Sequence, residues 1–260
     1  MDHTLSVDWV VQSFWRRYNK ERRYPIYATL PVFQFLESSY PHLEGLLELK
    51  ELKPGVTRRM DHAHPFRLTA YPVYHGKSAV GASMLLIETE ERRVLFTGDL
   101  LSPLLRIEDY HHLKGVDLLV VDSNNRFPWP RTNHWSFAGH TINPWERSQV
   151  LSDFLEKLSW EDVTLPHELS AFSETTLTYF RQLKEEWNSI TQPFTLIEFL
   201  KKIEPRHVVP VHYSGAEDLK YNSESILSAN ELYLWLTRTA ETAGLKSHFI
   251  VPETGQIITV

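Results

Sequence analysis

The chain has no cysteine among its 260 residues, which excludes disulfides and thiolate metal sites together. Any transition metal held here must take imidazole and carboxylate ligands. Nor is there an apolar run approaching the roughly 20 residues that span a bilayer. The opening Met1-Asp2-His3 carries an acid and an imidazole where a signal peptide has basic and apolar regions. The expectation is a cytoplasmic protein with no membrane association. Positive charge is not in excess either. Twenty-seven Lys and Arg face 33 Asp and Glu, a net charge of -6, which argues against a general nucleic-acid or membrane-surface binder. What the chain does have is 13 histidines and a hydrophobic fraction of 42%, enough for a substantial core.

Along the chain, Val7, Val10, Val11, Phe14 and Tyr18 recur at helical spacing and predict a helix over 4–18. Asp2 and His3 would stand just ahead of it. Residues 24–29 read as a short buried strand and 31–38 as a helix opening on Pro31; an apolar-acidic segment and the turn Pro54-Gly55 follow. This strand-helix-strand order predicts a layered α/β fold. Residues 66–74 alternate as a strand that delivers His75. Residues 83–88 and 92–96 read as a hairpin running out into Thr97-Gly98-Asp99, and 116–121 as an apolar strand followed by Asp122. Three strand ends thus carry groups that ligate or titrate.

Residues 123–143 form a long polar and aromatic loop holding His134 and His140, a length that is more often functional than incidental. Helices are predicted over 144–158, 174–187 and 194–203, with 159–192 read as an inserted helical cover carrying no obvious chemistry. Residues 205–215 form another buried strand with His212 near its exit. Asn230 is expected to cap a helix that Gly244 ends, and 249–252 and 256–260 to close the chain as two short strands. With no repeat and no interdomain linker, residues 1–260 read as one domain.

Asp2-His3, Tyr-His75-Gly, Phe-Thr-Gly-Asp99 and Pro-Val-His212-Tyr-Ser-Gly, in that order, resemble the metallo-β-lactamase fold superfamily over essentially the whole chain. The resemblance implies a layered αββα sandwich with a helical insertion. It also implies a hydrolase that holds one or two ions, Zn2+ or Mn2+, and attacks with a metal-bound hydroxide. Asp2, His3 and His212 would hold one metal, His75 would belong to the other, and Asp99 would bridge them. The closing pair of strands is expected on the same ground. The sequence starts at the Asp-His of the first motif, so the His-x-His half and the strands before it are not in it. Three explanations stay open: an internal start or truncation, a second polypeptide that supplies the missing ligands, or a degenerate module with one metal or none. His62-Ala-His64 precedes the strand leading to His75 and lacks the Asp-His continuation; it reads as a polar loop.

Within the superfamily, Asn133-His134-Trp135 and Gly139-His140-Thr141 resemble the ribonuclease Z and class II cyclic-nucleotide phosphodiesterase branches. The implied substrate is a small-molecule or nucleotide phosphodiester. Asp2, His140 and His134 are the catalytic candidates, either histidine as leaving-group acid or phosphate contact. Hydrolysis of a thioester or lactone, and partner binding by a catalytically dead module, are the alternatives. A homo-oligomer is a further open expectation.

Overall fold

Four strands of the chain are apolar at nearly every position, the pattern of strands meant to be covered on both faces. In the computed structural model, which describes residues 7–18, 22–61, 65–75, 81–100, 102–122, 173–187, 189, 196–211, 229–252 and 255–259, they form the middle of a mixed sheet. Its strands are β3 (Thr57–Met60), β4 (Phe66–Tyr74), β5 (Ser83–Glu88), β6 (Arg93–Phe96), β8 (Leu118–Asp122), β9 (His207–Val211) and β10 (His248–Phe249), in the spatial order β10-β9-β8-β6-β5-β4-β3. A short strand, β7 (Ser102–Pro103), pairs with the end of β4. β3, β4, β5 and β6 are antiparallel to their neighbours, whereas β6, β8, β9 and β10 are mutually parallel. Hence β4, β6, β8, β9 and β10 all run in one direction, and their carboxyl ends lie along one edge.

Ahead of this sheet, β1 (Tyr24–Ala28) and β2 (Leu47–Glu51) form a separate parallel pair, joined through helix α2 (Leu30–Ser39) and a 3-10 turn, Pro41–Leu43. The strand-helix-strand reading holds, with β1 only partly buried. Helix α1 (Val7–Arg17) packs here: Val11 is buried with Ala28, Phe33, Leu43 and Leu47, and Val7 and Tyr24 border them.

The two faces of the large sheet differ. On one, Met84, Leu86, Leu95, Leu119, Val121 and Val208 are buried under helices α3 (Ile107–Leu113), α5 (Leu196–Ile203) and α6 (Ala229–Thr242). Each such side chain contributes about 1.5–3 kcal/mol when fully buried. On the other, Leu85, Ile87, Val94, Leu118 and Val120 are half-buried, while Phe96 and Val211 are exposed. The class is the expected layered α/β, its two sheets of unequal size.

Several expectations are corrected. Residues 256–259 form no strand, and β10 pairs in parallel with β9 instead of with a following strand. Asn230 lies inside α6, after Ala229, and does not cap it; Gly244, at φ +71°, stands just past the helix end as expected. Helix α4 (Glu174–Glu186), within the expected insertion, is tied to the main body: Tyr179 reaches Asp109. The predicted helix over 144–158 lies outside the described residues. Among the described residues no helix is long and apolar enough to cross a membrane.

Candidate functional site

At the carboxyl edge, β4 ends at Tyr74 and hands on to His75, β6 runs into Thr97-Gly98-Asp99, and β8 ends at Asp122. β9, hydrogen-bonded to β8 through the Asp122↔Val211 register, ends on the residue that precedes His212 in sequence. β4 and β6 have β5 between them, so their ends are about 10 Å apart on strand spacing alone. The chain closes part of that gap. After Asp99 it turns back across the sheet end, and Ser102 and Pro103 pair with Tyr74 and Val73. Asp99 and His75 therefore flank one short β-bridge.

The Thr-Gly-Asp turn has its own internal support. Gly98 adopts φ +58°, a left-handed conformation that costs an L side chain roughly 1–2 kcal/mol. Space is not the reason for glycine, since a Cβ there would meet nothing closer than 3.9 Å. Thr97, fully buried, donates from Oγ1 to the Gly98 carbonyl at 2.7 Å and accepts from the Asp122 N–H at 3.0 Å. Asp122, also fully buried, accepts from the Leu100 N–H at 3.1 Å. Residues 97 and 100 are thus both tied to Asp122, with the half-buried Asp99 between them. Sequence reasoning placed Asp122 at a strand exit and missed that it braces the turn carrying Asp99.

Of the predicted site residues, the structure brings His75 and Asp99 to the same edge. Asp2, His3, His134, His140 and His212 lie outside the described residues. Among the described residues no group of three or more His, Asp or Glu stands close enough to hold a metal. His75 and Asp99 are donors of the kind a divalent transition metal takes, but two donors do not complete a tetrahedral set. The described residues do not by themselves fit the ion.

A second polar cluster is built around Arg106. Arg106 donates from Nε and Nη2 to the two carboxylate oxygens of Asp109, at 3.1 and 3.0 Å, and its backbone N–H donates to Asp109 Oδ2 at 2.9 Å. The guanidinium stacks on the Tyr179 ring, 4.1 Å from its centroid. The Tyr179 hydroxyl lies 2.8 Å from Asp109 Oδ2 and 2.9 Å from the Leu104 carbonyl. Its one proton goes to the carboxylate, the stronger acceptor. Burial, then the Asp109 charge, pushes the Tyr179 hydroxyl well above its ordinary range. Gly55, at φ +69°, completes the contact: a Cβ there would come within 2.7 Å of Arg106 Nη2. A cavity of about 460 Å³ opens beside this cluster, lined by Gly55, Val56 and Arg106 on one side and by α4's Thr178, Tyr179 and Gln182 on the other. The sequence signal was weak, an Arg-x-x-Asp across the start of a seven-residue helix.

A third cluster sits at the amino edge. Glu88, almost fully buried, takes Arg93 Nε at 3.3 Å, Arg67 Nη2 at 3.7 Å and His112 Nε2 at 3.5 Å. On its other side His112 Nδ1 is 2.5 Å from the Tyr71 hydroxyl. Burial first, then the Asp109 and Glu88 charges, raises the Tyr71 hydroxyl above its ordinary range.

No family model matches the chain, and no curated protein matches it. Solved structures do. The chain is similar to the metallo-β-lactamase fold protein YhfI from Bacillus subtilis, at 12% identity and a TM-score of 0.46 over 98% of this chain and 71% of that one. It is similar to a diphosphatase of the PhnP family, at 14% identity and a TM-score of 0.43 over 85% and 61%. It is also similar to Zn2+-bound PqqB from Methylobacterium extorquens, at 11% identity and a TM-score of 0.44 over 92% and 63%. In the last two cases the chain spans less than two thirds of the other protein's length.

Proposed function

We propose that the chain is a metal-dependent hydrolase of the metallo-β-lactamase kind acting on phosphodiesters. The observation that carries this reading is the common direction of β4, β6, β8 and β9, which puts His75, Asp99 and Asp122 at the carboxyl edge and ends on the residue before His212. His75, Asp99 and His212 are the strand-borne positions that the sequence motifs nominate. Ligands in open sheets of this kind bind outside the carboxyl ends of strands. Asp2, His3 and His212 complete the ligand set in this reading, with Zn2+ or Mn2+ as the ion.

Such an ion, when bound, lowers the pKa of water and screens the charge of a phosphate. The chain's own part is positional. Thr97 and Asp122 fix the turn so that the Asp99 carboxylate is presented at one place, and the β7 return pins the end of β4 from which His75 follows. His140, with His134 as alternate, acts as leaving-group acid or phosphate contact.

The test uses the full chain with bis(4-nitrophenyl) phosphate, a thioester and a lactone, each with added Zn2+ or Mn2+. Metal-stimulated phosphodiester hydrolysis that disappears in Asp99→Ala, with the circular dichroism spectrum unchanged, is the expected result. Hydrolysis of only the thioester or lactone would move the substrate class. No hydrolysis of any of the three, or full activity in Asp99→Ala, would overturn the reading.

A further inference from the structure

Helix α1 keeps one face for the protein and leaves the other outside. Val11 is fully buried, and Val7 and Phe14, a helical turn to either side of it, share its face: Val7 borders the small core and the Phe14 ring meets Tyr24 at 4.9 Å. The opposite face carries Trp9 and Val10, 72% and 49% exposed, and two turns farther on Arg16 and Arg17, also exposed. Past the helix end stand Tyr18 and Arg22, the guanidinium 5.6 Å from the ring centroid, and exposed Arg23 follows. We propose that this face docks on the surface of an anionic phospholipid bilayer, Trp9 and Val10 entering the headgroup boundary while Arg16, Arg17 and Arg22 meet lipid phosphates.

Three observations carry this. The first is the exposure of an indole and an aliphatic neighbour on a helix whose inner face is already packed. An indole, apolar with one N–H donor, suits the boundary between lipid and water. The second is charge. The whole chain has a net charge of -6, yet Arg16, Arg17, Arg22 and Arg23 crowd one end of α1, and the helix's one acid, Asp8, lies in its first turn. Exposed arginines elsewhere have carboxylate partners, Arg59 with Asp61, Arg181 with Glu174 and Arg206 with Asp117. Among the described residues none of the four at α1 forms an ion pair. The expectation of no membrane association followed from total charge, and this local excess runs against it.

The third is shape. Single-stranded nucleic acid is tracked by a basic groove lined with stacking rings. The outer face of a helix is convex, Trp9 and Tyr18 stand about 13 Å apart along its axis, and Val10 has no ring to stack. A bilayer surface accepts all three features. One indole and one valine bind lipid weakly by themselves, so the arginines supply the second signal that a lasting contact needs. The docking is peripheral and does not rest on the proposed hydrolase activity.

The test is co-sedimentation of the full chain with vesicles of phosphatidylcholine alone and of phosphatidylcholine mixed equally with phosphatidylglycerol, beside a binding assay with a labelled oligouridylate. The parent is compared with Trp9→Ala, the double variant Arg16→Glu/Arg17→Glu, and Asp99→Ala. The parent is expected to bind the anionic vesicles and not the neutral ones, and to be released by about 0.5 M salt. The double variant should lose at least about tenfold in partitioning. Trp9→Ala should lose several-fold, together with the blue shift of tryptophan emission that the parent shows on binding. No binding to anionic vesicles, equal binding to neutral ones, or binding unchanged in both variants would overturn the proposal. Binding of the oligouridylate in place of the vesicles would overturn it as well and assign the face to nucleic acid. The substituted side chains are exposed, so each variant should keep the parent's melting temperature and a loss of binding is not a loss of fold. Asp99→Ala should bind vesicles as the parent does, which keeps failure of the hydrolase reading separate.

Discussion

The two edges of the large sheet use charged and titratable groups in opposite ways. At the amino edge they answer one another: Glu88 faces Arg93, Arg67 and His112, and Asp117 faces Arg206. At the carboxyl edge the groups stand on turns. Asp99 follows a left-handed glycine, and Asp122 accepts from the Leu100 N–H and donates its own N–H to Thr97. Among the described contacts, the amino edge joins its strands through side-chain ion pairs, to which Asp117 adds a bond from the Arg93 N–H, and the carboxyl edge holds loop geometry through hydrogen bonds to backbone. The lesson is that chemistry is expected where backbone geometry is fixed, and stability where charges pair.

The sharpest way to break this division is at Asp99. Asp99→Ala is expected to lower phosphodiester turnover by more than about 100-fold, since a ligand should matter at least as much as its outer support. Its melting temperature should stay close to that of the parent, because the side chain is half-exposed. Turnover and a thermal melt check both halves. Asp122→Ala should come next, losing roughly 10–100-fold in turnover through the turn it braces and about 1–3 kcal/mol of stability through the N–H it leaves unanswered.

The reverse experiment is Glu88→Ala. Removing an almost fully buried carboxylate from among Arg93, Arg67 and His112 should cost about 1–3 kcal/mol by urea unfolding, with turnover unchanged. A loss of turnover in parallel would show that the edges are coupled.

A smaller effect lies in the alkaline limb of the stability curve. Tyr71, Tyr110 and Tyr179 all have hydroxyls raised by burial first and by Asp109 next. In the unfolded chain they ionise at about pH 10. Above that pH the unfolded state has lost protons that the folded state keeps, so stability falls as pH rises. Tyr71→Phe should flatten that fall, measured as urea midpoints between pH 8 and 11, and should leave the acid limb unchanged.

Much of the carboxyl edge was legible in sequence because its strands are unbroken apolar runs. Leu118 to Val121 could only be a strand covered on at least one face, and the glycine before Asp99 announced the turn. β3 was not legible: Thr-Arg-Arg-Met alternates in burial without alternating visibly in polarity. α3, seven residues with two histidines and two acids, is too short to show a period. Asn230 looked like a cap and lies within α6, because capping chemistry identifies a residue type and not a position. The closing strand pair failed because β10 took β9 as its partner, a choice made across the sheet and not along the chain. The clusters at Arg106 and Glu88 each start from a local pair, but the members that complete them, Tyr179 in one and His112 with Tyr71 in the other, come from far along the chain and no local pattern marks them.

The hydrogen bond from Tyr179 to Asp109 spans 70 residues of chain. Its consequence is kinetic. A contact of that separation forms only after the loop between its ends has closed and α4 has docked, late on the folding route. Interactions that form after the transition state act on the unfolding rate. Tyr179→Phe should therefore accelerate unfolding several-fold while leaving refolding nearly unchanged, so the Tyr179 hydroxyl governs how long α4 stays docked more than how quickly it arrives.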